Sequence, residues 1–304
     1  VTVDVQAGTS GRYTRPKLAT ALRAICDAVG LDSRGARLLR FVNNAVFQLA
    51  AQPVVVRIVL SPSLRHRADN VVKAAAWLAE HDVPAVRLLP GIAQPIEVDG
   101  HIATLWQSVP ENGPRPTGFD LARLLRRMHE LPHAPFTFRK WEPLLDVRRR
   151  LADAEELDGG DRDFLELRVD EVESELASLR FPLRQGAIHG DAHLGNLISG
   201  SAEMLLCDLD SVCVGPREWD LTPLAVGMLR FGHGTERYRA LARGYGFDVT
   251  RWPGFRVLRQ VRELKLTTGV LPILRSNPDV RPELARRLKT FRSGDMSAKW
   301  TPYQ

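Results

Sequence analysis

At Val109 the chain changes character, and the change restricts it to a fold of two unlike parts. Upstream, apolar residues come in short β-branched and aromatic runs, "ARLLRFV", "NAVFQLA" and "PVVVRIVL", separated by Asn or Gln-Pro breaks, which is the pattern of an antiparallel meander. Another β pair is expected in "QPIEV" and "HIATLWQSV", with Asp99-Gly100 as the hairpin turn. Helices are expected over 15–29, where Leu18, Leu22, Ile25 and Val29 recur at helical spacing, and over 68–82, where Val72, Ala76 and Ala79 form one stripe. Past Val109, "PENGPRPTG" carries three prolines and two glycines and reads as a connector. Almost everything beyond it has helical periodicity, from "FDLARLLRRMHEL" through "EPLLDVRRRLADAEEL" and "DRDFLELRVDEVESELASL" to "WDLTPLAVGML" and the end.

Composition supports this division. With 304 residues and 44% hydrophobic content the chain can bury a large core in two lobes. No run approaches the roughly 18 apolar residues of a membrane helix, and the first 17 residues hold no apolar leader, so a cytoplasmic protein is expected. The three cysteines lack metal-ligand spacing and are expected to be small core residues. A net charge of +6 could serve nucleic acid, but the arginines are spread over helical faces with no interleaved aromatics, so neither nucleic acid nor membrane is an expected partner. Oligomeric state is not readable from these features.

The helical half is interrupted once, by "AIHGDAHLGN" at 187–196 and the short apolar run "EMLLCDLDS" behind it. His189, Asp191 and Asn196 have the spacing H-x-D-x-x-x-x-N of a kinase catalytic loop, in which the Asp accepts a hydroxyl proton and the Asn binds magnesium. Chance yields His-Gly-Asp-x4-Asn in a chain this long on the order of one time in a thousand at average residue usage. A magnesium ion on a triphosphate also needs a carboxylate, and Asp208, at the end of an apolar strand twelve residues after Asn196, is placed to return to it. Asp210, two residues on, would share its side of the strand. His129 and His193 are expected to pack or hydrogen-bond rather than ligate.

"HGDAHLGN" followed by "LLCDLDSVCVGPREWDLTPLA" resembles the aminoglycoside phosphotransferase and choline kinase family. The resemblance implies an α+β, protein-kinase-like two-lobed fold: a β-rich nucleotide-binding N-lobe at 1–107 and a mainly helical C-lobe at 108–304 carrying the catalytic loop and acceptor cleft. It implies phosphoryl transfer from ATP or GTP to a small-molecule hydroxyl, with Asp191 as catalytic base, Asn196 and Asp208 as magnesium ligands, and His189 and Asp220 supporting the loop. Upstream, "LLRFVNNAVFQL" is similar to the nucleotide-covering hairpin, with Asn44 at its usual Asn. "VVVRI" places Arg57 where a basic residue grips the phosphates, and "LWQSVP" puts backbone groups of Gln107 and Val109 at the adenine hinge.

Three features depart from that pattern. The covering loop has no glycines, Arg57 stands where lysine is commoner, and the helix glutamate that normally pairs with the basic residue falls near Val71. Either Asp69 substitutes for it or the phosphates alone orient Arg57. A catalytically silent, nucleotide-binding regulator is the alternative reading. For the acceptor, the acidic stretch from Glu142 to Glu175 would suit a cationic substrate, but the residues after Asp220 carry mainly arginines and charge runs on helices are usually solvated faces; Asp210 and Glu263 are further acceptor candidates.

Overall fold

The computed structural model describes residues 14–41, 44–60, 67–134, 137–275 and 277–303. The N-terminal stretch in which no leader is expected and the tip of the covering hairpin, 42–43, lie outside the described residues. Described residues within Val1–Pro116, Ala134–Thr137 and Gly195–Val212 form one compact unit, and those within Thr117–His133, Phe138–Leu194 and Cys213–Gln304 a second.

The first unit is built on an antiparallel sheet of β1 (Arg37–Phe41), β2 (Asn44–Gln48), β3 (Val54–Val59), β4 (Ile96–Val98) and β5 (His101–Gln107), in the order β1-β2-β3-β5-β4. The expected meander is β1–β2–β3. The Asp99-Gly100 turn closes the β4–β5 hairpin with φ of 49° and 71° at its two residues. Both positive values are what a two-residue turn needs to follow the strand twist, and Asp and Gly are residues that tolerate them.

Helix α1 (Arg15–Ala28) buries Leu18, Leu22 and Ile25 against Val56, Ile58 and Leu105. Each such side chain contributes about 1.5–3 kcal/mol on burial. Helix α2 (Arg67–Glu80) differs from expectation: it buries Val71, Ala74, Ala75 and Leu78, while Ala76 is exposed. Alanines mark both faces of this helix, so burial of the large Trp77 and Leu78 decides its rotation, not the alanine stripe.

The second unit contains α3 (Gly118–His129), α4 (Pro143–Ala152), α5 (Gly159–Ala177) and the strand β6 (Gly186–Ile188). The chain then crosses into the first unit for the hairpin β7 (Leu197–Ser199) and β8 (Met204–Leu206). It returns at β9 (Cys213–Gly215), which pairs with β6, and continues through α6 (Glu218–Phe231), α7 (Thr235–Tyr245), α8 (Phe255–Thr268) and α9 (Arg281–Ser293). Thr117 and Asp120 start α3 with a capping box, each side chain accepting the other residue's backbone N–H. The core of this unit gathers Val147 from α4, Val169 from α5, Trp219 from α6 and Leu258 and Val261 from α8.

Helix α8 is buried nearly all round and takes Arg259, Arg262 and Glu263 inside with its apolar residues. Such charges must find partners, since an uncompensated buried ion is too costly to persist. Cys26 and Cys213 are buried and Cys207 is half-buried; none of the three is in a disulfide. Among the described residues no helix is long and apolar enough to cross a membrane.

Candidate active site

In the second unit, β6 ends at Ile188 and the chain turns through His189, Gly190 and Asp191. Gly190 makes that turn at φ 82°, a region other residues enter only with strain. Asp220, in the first turn of α6 and fully buried, holds the turn from below. Its Oδ2 accepts the backbone N–H of His189 at 2.7 Å and its Oδ1 that of Gly190 at 2.8 Å. A carboxylate is well placed at the positive end of a helix dipole, and here it bonds both backbone donors. His129 Nε2 lies 3.0 Å from Asp220 Oδ2, and His129 Nδ1 lies 2.7 Å from the Tyr245 hydroxyl. Trp219 Nε1–H donates to the Gly190 carbonyl at 2.8 Å. The Asp191 N–H donates to Nδ1 of the buried His189 at 3.4 Å.

So fixed, the Asp191 side chain meets cations. Arg262 Nη1 donates to its Oδ1 at 2.5 Å, and His193 Nε2 is 3.9 Å from Oδ2. Lys265, one turn further along α8, binds Asp146 at 3.3 Å. Burial by itself would raise the Asp191 carboxyl, but Arg262, His193 and Lys265 outweigh it and hold the group well below the usual carboxylate range.

In the first unit, the β7–β8 hairpin pairs Leu197 with Leu206 and so brings together the residues flanking it. Asn196, 2% exposed, accepts the N–H of Cys207 on its backbone carbonyl at 3.0 Å, next to Asp208. Asp208 itself is left-handed, at φ 58° and ψ 57°. That conformation costs a non-glycine residue about 1–2 kcal/mol and is typically stored at functional positions.

Arg57, on β3 and 9% exposed, donates to Asp208 Oδ1 at 3.3 Å and forms a close ion pair with Asp210. Arg40 reaches Asp208 Oδ2 at 3.3 Å, and Asn44 Nδ2 donates to Asp210 Oδ2 at 3.2 Å. Burial lowers the pKa of the Arg57 guanidinium and the Asp208 carboxylate opposes that shift. Arg57, Asn44, Asp210, Thr104 and Val71 line one cavity. The place of the expected helix glutamate is therefore apolar. Asp69 is exposed, Asn70 donates to the Val212 carbonyl at 2.8 Å, and Asp208 with Asp210 supplies the negative charge instead.

Of the two hinge candidates, Gln107 already gives its backbone N–H to the Arg87 carbonyl at 2.9 Å. Among the described residues no backbone hydrogen bond engages Val109, which is half-buried beside Gly200. Glu263 does not stand with Asp191. It is 2% exposed and binds Arg230 and Arg259, each at 2.6 Å. Part of the acidic stretch is likewise engaged: Glu156 with Arg281, Asp161 with Arg292, Asp170 and Glu173 with Arg148, and Asp158 capping α5.

Residues 40–261 match the phosphotransferase enzyme family. The chain belongs to that family. Solved structures share its fold. A choline/ethanolamine kinase family protein from Mesorhizobium loti is 20% identical, with a TM-score of 0.61 over 91% of this chain and 93% of that one. Amicoumacin kinase in complex with AMP-PNP, Ca2+ and Ami is 14% identical, with a TM-score of 0.70 over 92% and 96%. Aminoglycoside phosphotransferase from Streptomyces rimosus is 20% identical, with a TM-score of 0.57 over 81% and 97%. No curated protein matches the chain.

Within this phosphotransferase-family chain, three polar contacts escape sequence reasoning. Arg262 sits 71 positions from Asp191, and nothing in "VRELKL" ties it to that loop; the acid beside it, Glu263, draws attention instead. Arg40 looks like any exposed strand arginine. Tyr245 stands 116 residues from His129, and only the packing of α7 on α3 joins them.

Among the described residues no group of three His, Cys, Asp or Glu side chains forms a metal cage. Magnesium needs none, because it takes one or two carboxylates and fills its octahedron with phosphate oxygens and water. The amide oxygen of Asn196 and the carboxylate of Asp208 are hard oxygen donors at one end of one hairpin, which suits that ion.

Proposed function

We propose that this phosphotransferase-family chain transfers the γ-phosphoryl group of ATP or GTP to a hydroxyl of a small molecule. The observation that carries the reading is the Asp191 carboxylate, paired with Arg262 at a turn whose backbone Asp220 clamps on two consecutive N–H groups. The acceptor oxygen bonds to the γ-phosphorus as the bond to the β–γ bridging oxygen breaks. Asp191 orients the hydroxyl and takes its proton late in the step, when the oxygen has become acidic.

Asn196 and Asp208 would hold magnesium, which when bound neutralises charge on the β- and γ-phosphate oxygens. Arg57 contributes a second fixed cation toward the α- and β-phosphates, and a guanidinium suits phosphate as well as lysine does. Val109, with Gln107 behind it, offers the backbone edge for the base, and Asn44 steadies the phosphate side through Asp210. The AMP-PNP in the amicoumacin kinase complex supports a triphosphate donor.

The test is acceptor-dependent release of ADP or GDP from the magnesium nucleotide across a library of hydroxyl compounds. Asp191→Ala should lower transfer about 10²-fold or more, the scale of losing a general base. Transfer at the wild-type rate by Asp191→Ala removes Asp191 from the role. Nucleotide binding with no transfer to any acceptor identifies the silent regulator.

A further inference from the structure

Beside Asp191 the second unit presents cations where a polycationic acceptor would require carboxylates. Arg262 occupies Asp191 directly, Lys265 follows on the same face of α8, and Lys265 takes up Asp146. Of the acids that the sequence offers a cationic substrate, Glu156, Asp161, Asp170 and Glu173 are bound to Arg281, Arg292 and Arg148, and Asp158 caps a helix.

Arg262 has bonding capacity left. A guanidinium carries five N–H groups in a planar fork, and the edge formed by Nε and Nη2 matches the two oxygens of a carboxylate or phosphate. Its Nη1 serves Asp191, while its Nε is enclosed with no acceptor, and no hydrogen bond among the described residues engages that edge. A buried N–H without an acceptor is a standing penalty that a ligand oxygen would remove.

Resting on the transfer reading above, we infer that the acceptor is an acid: a small hydroxyl compound bearing a carboxylate or phosphate group, which Arg262 receives on its Nε–Nη2 edge beside Asp191. The acceptor's anion draws the guanidinium toward itself, and the Asp191 carboxylate is released to the acceptor's hydroxyl. In the transfer, the acceptor oxygen gains its bond to phosphorus, ADP leaves with the electrons of the broken P–O bond, and the hydroxyl proton passes to Asp191 and then to water. A cationic acceptor has no such exchange to offer. It would face Arg262 and Lys265 with like charge and could bind Asp191 only by leaving a buried guanidinium without its counter-ion. Arg262 is thus a specificity residue as well as the cap on the base.

Matched acceptors distinguish charge from shape. Glucose, glucosamine, gluconate and glucose 6-phosphate, with choline and kanamycin as further cations, are offered with magnesium ATP to the wild type, Arg262→Gln and Arg262→Lys. Melting followed by circular dichroism verifies that each variant is folded, and Arg262→Lys keeps a positive charge if Arg262→Gln does not fold. The expected result is ADP release stimulated by the acids, a KM for the acid raised about tenfold or more in Arg262→Gln, equivalent to one lost interaction of 1.4 kcal/mol, and an intermediate KM in Arg262→Lys. The kcat should change less than KM, whereas a purely structural role would lower transfer to every acceptor alike. Transfer to the amino compounds alone, or an unchanged KM for the acid in both variants, overturns the inference and leaves the transferase reading standing. Transfer to no compound removes both.

Discussion

Asp210 binds the guanidinium of Arg57, 153 positions earlier in the chain, at the place where an apolar Val71 leaves α2 without a carboxylate. The pair is enclosed by the first unit's sheet, and Asn44 holds the second Asp210 oxygen at 3.2 Å. Asp210 acts through Arg57, so its loss should be felt in nucleotide affinity. Asp210→Asn is expected to raise the KM for magnesium ATP about tenfold, the worth of one charge-assisted bond. Val71→Glu placed in that variant should recover part of the loss, because it returns a carboxylate to the same cavity. Steady-state kinetics with isothermal titration of AMP-PNP checks both, and an Asp210→Asn protein with wild-type KM and Kd refutes the assignment.

Asp220 accepts the backbone N–H groups of His189 and Gly190. Asp220→Ala strands both in a fully buried site, at about 1–3 kcal/mol each. Urea unfolding should show a loss of about 2–6 kcal/mol, with the unfolding slope unchanged. A loss below 0.5 kcal/mol would mean that the turn is held by other contacts.

Glu263 is predicted to matter for folding and not for acceptor choice. Replacing it by Gln leaves Arg230 and Arg259 buried around a neutral amide, and breaking such a cluster typically costs about 3–5 kcal/mol. The variant should melt well below the wild type yet keep the same ranking of acceptors at a temperature where it is folded. A changed ranking at unchanged stability would return Glu263 to the acceptor site.

The Arg262–Asp191 pair has a readable pH signature. The Asp191 carboxyl is depressed in the folded state relative to its unfolded value near 3.9, so its contribution is fully present above about pH 4 and is lost as pH falls toward the folded value. Arg262→Gln removes the largest of the lowering influences and leaves burial, which raises the group. The stability difference between wild type and Arg262→Gln should therefore be largest near neutrality and shrink as pH falls below about 4. Denaturant titrations at a series of pH values measure it, and a difference independent of pH contradicts the pairing.

Cys207 precedes Asp208, and it is predicted to be an unreactive thiol. Burial, with the Asp208 carboxylate second, pushes its pKa up to about 12. Because the thiolate is the nucleophile, iodoacetamide should fail to label Cys207 in the folded protein at pH 8 and should label it in urea. Mass spectrometry of the tryptic peptide decides this.

The parts of this molecule legible in sequence are those governed by local rules. Asp99-Gly100 announces its hairpin because only that turn wants two positive φ values, and the spacing of Asp191, Asn196 and Asp208 is visible because one loop and one hairpin carry all three. The rotation of α2 was not legible, since alanine marks a buried and an exposed face equally well. Nor were the partners of the charged residues. Arg57 settles on two aspartates instead of a helix acid, and Arg262 settles on Asp191, through distances in sequence of 151, 153 and 71 positions that no periodicity encodes.

The first unit is assembled from three separated segments, and this has a consequence for synthesis. Arg57 emerges from the ribosome 151 residues before Asp208. At bacterial or eukaryotic elongation rates of about 5–20 residues per second, that is a wait of about 8–30 s. Throughout that interval the nascent sheet carries a cation destined for its interior whose counter-ions do not yet exist. The β-rich half of the chain is translated first, yet its charge balance is completed only after the first three helices of the helical half, α3 to α5, have been made.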